Sequence, residues 1–199
     1  MRLYSYIVLH DMGFAPNPFH GWCTLATCKP RIRGGASVGD WIAGTGSKSK
    51  GLQGRLVYAM RVDEKVTFDQ YWQDPRFQRK KPDMRGSWKY RYGDNIYHRS
   101  DVGGWDQADS RHSLDSDTPN PKHVTRDTGK DAVLLSTHFT YWGGQGPTIP
   151  TEFRNGHGVD ICLTGTGEKW TPFSAEMRLT FLAWIDTLDL GYNHDPADW

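Results

Sequence analysis

"GDWIAGTGSKSKGLQGRLVYAMRV", residues 39–62, decides the fold. Gly39-Asp40 reads as a turn, Trp41–Ala43 as a short apolar run, and Gly44-Thr45-Gly46 as its end. Beyond Gly54, Leu56, Tyr58, Met60 and Val62 face one way while Arg55, Val57, Ala59 and Arg61 face the other, the period-two signature of a strand. Between the two strands, Ser47, Lys48, Ser49 and Lys50 imitate a phosphate loop. The imitation fails on spacing. A triphosphatase loop needs its lysine directly after the second glycine at the head of a helix, but Ser47 intervenes and a strand follows. The dinucleotide fingerprint fails too, because Ser49 stands where a third glycine belongs. Two readings survive: a strand-ending turn, or a glycine-permitted approach of backbone to a ligand beside a hydroxyl and an ammonium.

Outward from this hairpin, "RLYSYIVL" (2–9) is a strand and the Pro- and Gly-punctuated stretch 11–22 a loop. "TFDQYWQDP" (67–75) predicts a short helix with Thr67 as its N-cap and Pro75 as its stop. Residues 131–144 and 159–167 read as strands. The second Gly-Thr-Gly, in "ICLTGTGEKW" (161–170), reads as a turn into the last helix. That helix, within 170–191, opens at Pro172 or Ser174, carries Met177, Phe181, Ile185 and Leu188 on one face, and closes at Gly191. The tail "YNHDPADW" is expected to fray. The whole predicts an α+β fold of five or six strands and two helices. It is read as one domain over 1–199, with 76–130 as a polar insertion whose first part is basic and whose second part is Asp-rich.

The chain is 37% hydrophobic and 24% charged with a mean hydropathy of −0.69, yet 13% aromatic, so rings must do packing that aliphatics usually do. A net charge of +1 argues against non-specific duplex affinity and makes any nucleic-acid contact local. No stretch is long enough to span a membrane, and "MRLYSYIVLHD" lacks a signal-peptide layout. Three cysteines, Cys23, Cys28 and Cys162, form no even framework and suit a reduced, cytoplasmic setting. Their spacing does not make a zinc site, and small buried hydrophobes is their expected role. No metal and no cofactor is implied.

Two constellations could carry chemistry. From 76 to 91, seven cations (Arg76, Arg79, Lys80, Lys81, Arg85, Lys89, Arg91) meet one acid, Asp83, with Phe77, Trp88, Tyr90 and Tyr92 among them. Cations for phosphates beside rings for bases is the pattern of single-strand and flipped-base binders; a solvated loop with ordinary ring packing is the alternative. Next comes 92–118, in which Asp94, Tyr97 and His98 form the tightest proton-handling group. They could act as acid and base, or as hydrogen-bonding partners of a base edge. His138 and His157 lie near glycine-rich turns, no G-x-S-x-G elbow exists, and nothing in the sequence selects a Cys-His or Ser-His pair.

The N-terminal run "RLYSYIVLHDMGFAPNPFHGWCTLATCKPRIRGGASVGDWIAGTGS", with "DNIYH" and "HFTYWGG", resembles the second of the numbered nucleotide modification associated domain families, over most of the chain. That family occurs in prokaryotes and phages, and the resemblance implies a role in DNA base modification without implying a mechanism. "VGDWIAGTGS" followed by "GRLVYAMRVDEKVTFDQYWQDPRF" is also similar to PUA-like domains of the EVE and YTH types, some of which hold a modified base in an aromatic-walled pocket. This second likeness implies a mixed β-barrel with flanking helices, Gly39 and Asp40 at the turn, and Gly44, Thr45, Gly46 and Ser47 at the pocket side. The chain departs from it in lacking an aromatic at that strand end and in its long 76–130 segment.

Together these imply a domain that engages a modified nucleobase or nucleotide in a DNA modification system. Asn17, Trp41, Thr45, Gly46, Ser47 and Trp142 would bind the base, and Lys48, Arg79, Lys80, Lys81, Arg85 and Lys89 the phosphates. DNA or a nucleotide, and other modification proteins, are the implied partners. Two rivals stand beside it: an enzyme of base hypermodification using Asp94, Tyr97 and His98, and a protein-interaction module of a modification or defence complex.

Overall fold

The computed structural model describes residues 1–115, 117–155, 158–162 and 173–199. In chain order the strands are β1 (Leu3–Val8), β2 (Cys23–Leu25), β3 (Trp41–Gly46), β4 (Leu56–Arg61), β5 (Glu64–Val66), β6 (Tyr97–Arg99), β7 (Trp105–Gln107), β8 (Val133–Ser136), β9 (Phe139–Tyr141) and β10 (Gly191–Tyr192). The helices are α1 (Pro30–Gly35), α2 (Phe68–Gln73), α3 (Trp88–Arg91), α4 (Pro121–Thr128) and α5 (Ala175–Ile185). The fold is α+β, and the described residues form sheets of five, three and two strands. Among the described residues none of them closes into the expected barrel: the five-stranded sheet ends at β1 on one side and β10 on the other. No described helix is long and apolar enough to cross a membrane.

The chain divides into two units. The first comprises Met1–Asp11, Ala36–Asp63 and Ser136–Trp199, and contains the five-stranded sheet in the order β1-β3-β4-β9-β10. β3 runs parallel to β1 and antiparallel to β4, with Ile42 opposite Met60 and Gly44 opposite Tyr58. The strand-end glycines answer to packing. A Cβ on Gly44 would lie 2.3 Å from the Tyr58 ring, and one on Gly46 would lie 2.1 Å from the Leu52 carbonyl oxygen. The Tyr58 hydroxyl in turn meets that of Tyr6 at 2.9 Å.

Helix α5 starts where the sequence predicts, with the Ser174 hydroxyl accepting from Met177 N at 3.1 Å. Met177, Phe181 and Ile185 bury one face together with Leu3, Trp41, Leu56, Ile149 and Phe153, and Phe153 meets Phe181 edge to face. Pro172 and the second Gly-Thr-Gly fall outside the described residues, as does most of the strand expected at 159–167. Gly191 does not close the helix. It has φ of +85° and begins β10, which pairs in parallel with β9. The tail, expected to fray, is tied down: Asp11 N donates to Asp198 at 2.9 Å, and Ala197 N donates to the Asp11 carboxylate at 3.1 Å. Backbone donors that find a buried carboxylate have no need of water.

The second unit comprises Met12–Gly35 and Glu64–Leu135, and contains the β2-β8-β5 sheet and the β6-β7 pair. Helix α2 carries a capping box, with Gln70 N donating to Thr67 Oγ1 at 3.2 Å and Thr67 N to Gln70 Oε1 at 2.8 Å. Residues 76–130 belong to this unit and supply Phe77, Ile96 and Tyr97 to a core that also holds Phe14, Phe68, Tyr71, Val133 and Leu135. Rings thus substitute for the missing aliphatics, as in the Tyr71–Phe77 pair at 4.9 Å and the Phe68–Tyr97 pair at 5.4 Å. The single strand expected over 131–144 is broken into β8, which pairs with β5, and β9, which pairs with β4. At the break, Thr137 N and His138 N both donate to Asp63, at 2.8 and 3.2 Å.

Candidate functional site

The Gly-Thr-Gly strand leads to a concave site within the first unit. After β3, Ser47 caps a single 3-10 turn over Lys48–Lys50, and Gly51 ends it with φ of +70°. This turn and the docked tail border a half-open pocket of about 460 Å³, lined by Lys50, Leu52, Gly144, Gln145 and His194 through Asp198. Lys50 Nζ donates to Asp198 Oδ1 at 2.7 Å across it. The Tyr192 hydroxyl donates to Asp195, and the Trp142 ring lies 5.6 Å from His194. An ammonium, an amide, an imidazole and two carboxylates converging on one concavity offer both donors and acceptors to a small planar ligand.

The residues expected to bind a base are distributed unevenly around this pocket. Trp142 borders it through His194, with its ring N–H donating to Thr140 Oγ1 at 2.5 Å. Thr45 is fully buried and Ser47 is buried, with the Ser47 hydroxyl engaged by Ser49; they shape the turn from beneath. Trp41 is buried edge-on against His138. Asn17 belongs to the second unit, where it is buried and donates to Tyr92 O at 2.8 Å.

The expected phosphate-binding cations also differ in their surroundings. Lys48 is exposed on the turn. In the second unit Arg79 donates to the Tyr90 hydroxyl at 2.6 Å, Lys81 sits 3.7 Å over the Trp72 ring, and Lys89 lies 5.9 Å from the Phe19 ring. Arg85 is exposed. Lys80 offers no charge to solvent: at 1% exposure its ammonium donates to Asn17 O, Asn17 Oδ1, Trp22 O and Thr24 Oγ1. Burial pulls its pKa down to about 8 against the pull of Asp94.

Asp94, Tyr97 and His98 adjoin in sequence but are directed into three environments. Asp94 is fully buried, accepts from Thr24 Oγ1 at 2.7 Å and Tyr71 OH at 2.8 Å, and has its pKa raised by burial despite Lys80. Tyr97 is buried and donates to Asp127 Oδ2 at 3.0 Å. His98 Nδ1 meets the Arg99 carbonyl at 3.0 Å while its ring lies 4.3 Å from that of Trp72.

Where Tyr97 ends, a cluster begins that no sequence spacing announces. Cys28 Sγ lies 3.7 Å from His112 Nε2, and His112 Nδ1 lies 3.0 Å from Asp127 Oδ2. Arg126 Nη2 lies 3.6 Å from the sulfur and 3.4 Å from His112 Nε2, while its Nε donates to Asp127 Oδ1 at 2.8 Å. Burial pushes the Asp127 carboxyl up, but its contacts with His112 and Arg126 outweigh this and hold it well below the usual carboxylate range. Cys28, His112 and Asp127 come from a loop after β2, a turn, and helix α4, 84 and 99 residues from the first. Only tertiary structure could bring them together. Among the described residues no group of histidine, cysteine and carboxylate side chains is arranged to hold a metal ion.

Neither curated proteins nor solved structures gave a match to this chain. A family model described as nucleotide modification associated domain 2 matches residues 1–199, and the chain belongs to that family.

Proposed function

We propose that this protein engages a nucleobase or nucleotide, modified and carried in DNA, as a component of a nucleotide modification system. Family membership supports the setting. The observation that carries the ligand class is the pocket beside the Gly-Thr-Gly turn, whose volume of about 460 Å³ falls among small-molecule sites. Its polar groups suit a base edge: Asp195 and Asp198 accept from exocyclic amines, Lys50 donates to a carbonyl, and Gln145 does either. The rings of Trp142 and His194 supply stacking surface. The exposed or half-buried cations Lys81, Arg85 and Lys89 are the part of the 76–91 segment suited to a sugar–phosphate backbone. The likeness of β3 and its turn to PUA-like base readers belongs to this reading, as does a cytoplasmic setting, which the three free cysteines favour.

Native mass spectrometry of the purified protein, with nucleoside analysis of anything retained, tests the pocket. A base or nucleotide is expected on the wild-type chain and absent from His194→Trp, which fills the pocket from an exposed position. A ligand retained equally by both would move the site elsewhere. A wild-type chain that is empty, and that ignores a panel of modified oligonucleotides, would remove the reading.

A further inference from the structure

We propose that Cys28, His112 and Arg126, with Asp127 behind them, form a thiol-nucleophile centre in the second unit that attacks the carbonyl carbon of an acyl substrate, an ester or amide. This centre belongs to the second unit, whereas the base pocket belongs to the first.

Three features of the backbone prepare the cysteine. Cys28 and the next residue, Lys29, both have positive φ, +56° and +44°. Two successive non-glycine residues in the left-handed region cost about 1–2 kcal/mol each and persist only where the surroundings over-determine them. Here they do. Cys28 N donates to Asp127 Oδ1 at 3.0 Å, and the fully buried Arg33 holds the Cys28 carbonyl at 2.7 Å. The sulfur is thereby presented to His112 at a place where the residue keeps partial exposure, whereas Cys23 and Cys162 are buried.

The proton geometry follows from the partners. Arginine cannot accept and a carboxylate cannot donate. Arg126 Nη2 beside His112 Nε2 therefore makes that nitrogen the acceptor in the neutral ring and leaves the ring proton on Nδ1, which lies 3.0 Å from Asp127 Oδ2 without the angle of a hydrogen bond. Nε2, which carries the lone pair, lies 3.7 Å from the sulfur. Phe14 and His123 pack on the ring at 4.7 and 4.1 Å and fix its plane. Burial and Asp127 favour the neutral thiol of Cys28, while Arg126, Lys29 and Arg33 oppose them. The thiolate accordingly forms with proton transfer to His112 and not at rest.

The step balances. The thiol proton passes to His112 Nε2 as sulfur bonds to the acyl carbon, and the carbonyl π electrons go to oxygen, beside the half-exposed Arg126 guanidinium. Collapse expels the amine or alcohol, which takes the proton from His112. Water then attacks the S-acyl cysteine, yields a proton to His112, and the carbon–sulfur bond breaks to give a carboxylic acid and the thiol, with that proton returned to sulfur.

The full-length chain treated with p-nitrophenyl acetate tests this. One acetyl group per chain is expected at Cys28, with Cys23 and Cys162 unlabelled, at a rate at least about 100-fold above that of a free cysteine peptide at the same pH. His112→Gln should slow acetylation at least about 100-fold. Arg126→Gln should slow acetylation more than alkylation by iodoacetamide, because both need the thiolate that Arg126 favours but only acetylation develops an oxyanion beside it. Asp127 is a positioning residue. Cys28 N and Arg126 Nε donate to its Oδ1, while Tyr97 OH and Arg126 Nη2 donate to its Oδ2, so Asp127→Asn removes the negative charge beside His112 Nδ1. Nitrogen-15 shifts of the His112 ring should report a change in which ring nitrogen carries the proton. Acetylation at the free-peptide rate, or spread over lysines, would overturn the proposal. So would unchanged acetylation in a folded His112→Gln. Where a variant fails to fold, the wild-type rate against the free peptide decides alone.

Discussion

The two units differ in what they bury beside their apolar cores. In the first, α5 and the open sheet close over Phe153, Met177, Phe181 and Ile185, and stability comes from apolar area removed from water. In the second, a lysine, an arginine and two aspartates, Lys80, Arg33, Asp94 and Asp127, are each at most 1% exposed, and every one is met by several hydrogen bonds. An apolar core that loses one member is left with a cavity. A charge network that loses one member is left with an unpaired ion. A sequence poor in aliphatics can still build an interior, provided that its charges are satisfied.

The sharpest way to break this contrast is Asp94→Ala, which removes the buried counter-charge that Lys80 reaches through Thr24 and should cost about 3–5 kcal/mol in chemical denaturation. Segment-resolved amide exchange should report the loss in β2, β5 and β8. Phe181→Ala should cost a similar 3–5 kcal/mol in the first unit, by cavity formation. The two then separate on repair. The double variant Lys80→Met, Asp94→Leu removes both ions and should regain most of the loss, an option that an apolar cavity lacks. No regain would mean that the hydrogen bonds to Asn17, Thr24 and Tyr71, and not the pairing of charges, hold the network.

A pH titration sharpens the same point. Lys80 is held at about 8, against 10.5 in the unfolded chain. Between these values the unfolded chain binds a proton that the folded chain has released, so the contribution of this group to stability is flat below pH 8 and rises with pH to 10.5. The slope is at most about 1.4 kcal/mol per pH unit. Denaturation midpoints of the wild type and Lys80→Met across pH 7.5–10.5 should diverge by this rise; parallel curves would contradict the burial of a charged Lys80. The smallest effect belongs to the second unit's surface: Thr67→Ala removes the cap of α2 and should cost about 1 kcal/mol.

Local signals were legible in the sequence where local physics decides. Thr67 and Ser174 begin the helices that their side chains cap, and the alternation at 54–62 is a strand. The break at Thr137 was not, since Val-Leu-Leu-Ser-Thr-His-Phe-Thr-Tyr has uninterrupted β propensity and only the distant Asp63 carboxylate divides it. Residues 76–130 read as an excursion because aliphatic content marks a core in sequence, whereas Phe77 and Tyr97 carry this one. Of the site, the Ser47–Lys50 turn is visible in the sequence, but its opposite wall, His194–Asp198, reads there as a frayed end. Cys28 gave no sign of His112 or Asp127, for no periodicity links positions so far apart.

Gly143 gives experimental leverage over that wall. Its φ is +54°, and a Cβ there would sit 2.1 Å from the carbonyl oxygen of Asp195, whereas one on Gly144 would meet Ala197 Cβ at 3.1 Å. A single methyl group at 143 is therefore a wedge: Gly143→Ala should lift residues 194–198 from the sheet without altering any polar group of the pocket. It offers a steric control for the chemical variants, separating loss of a wall from loss of a donor.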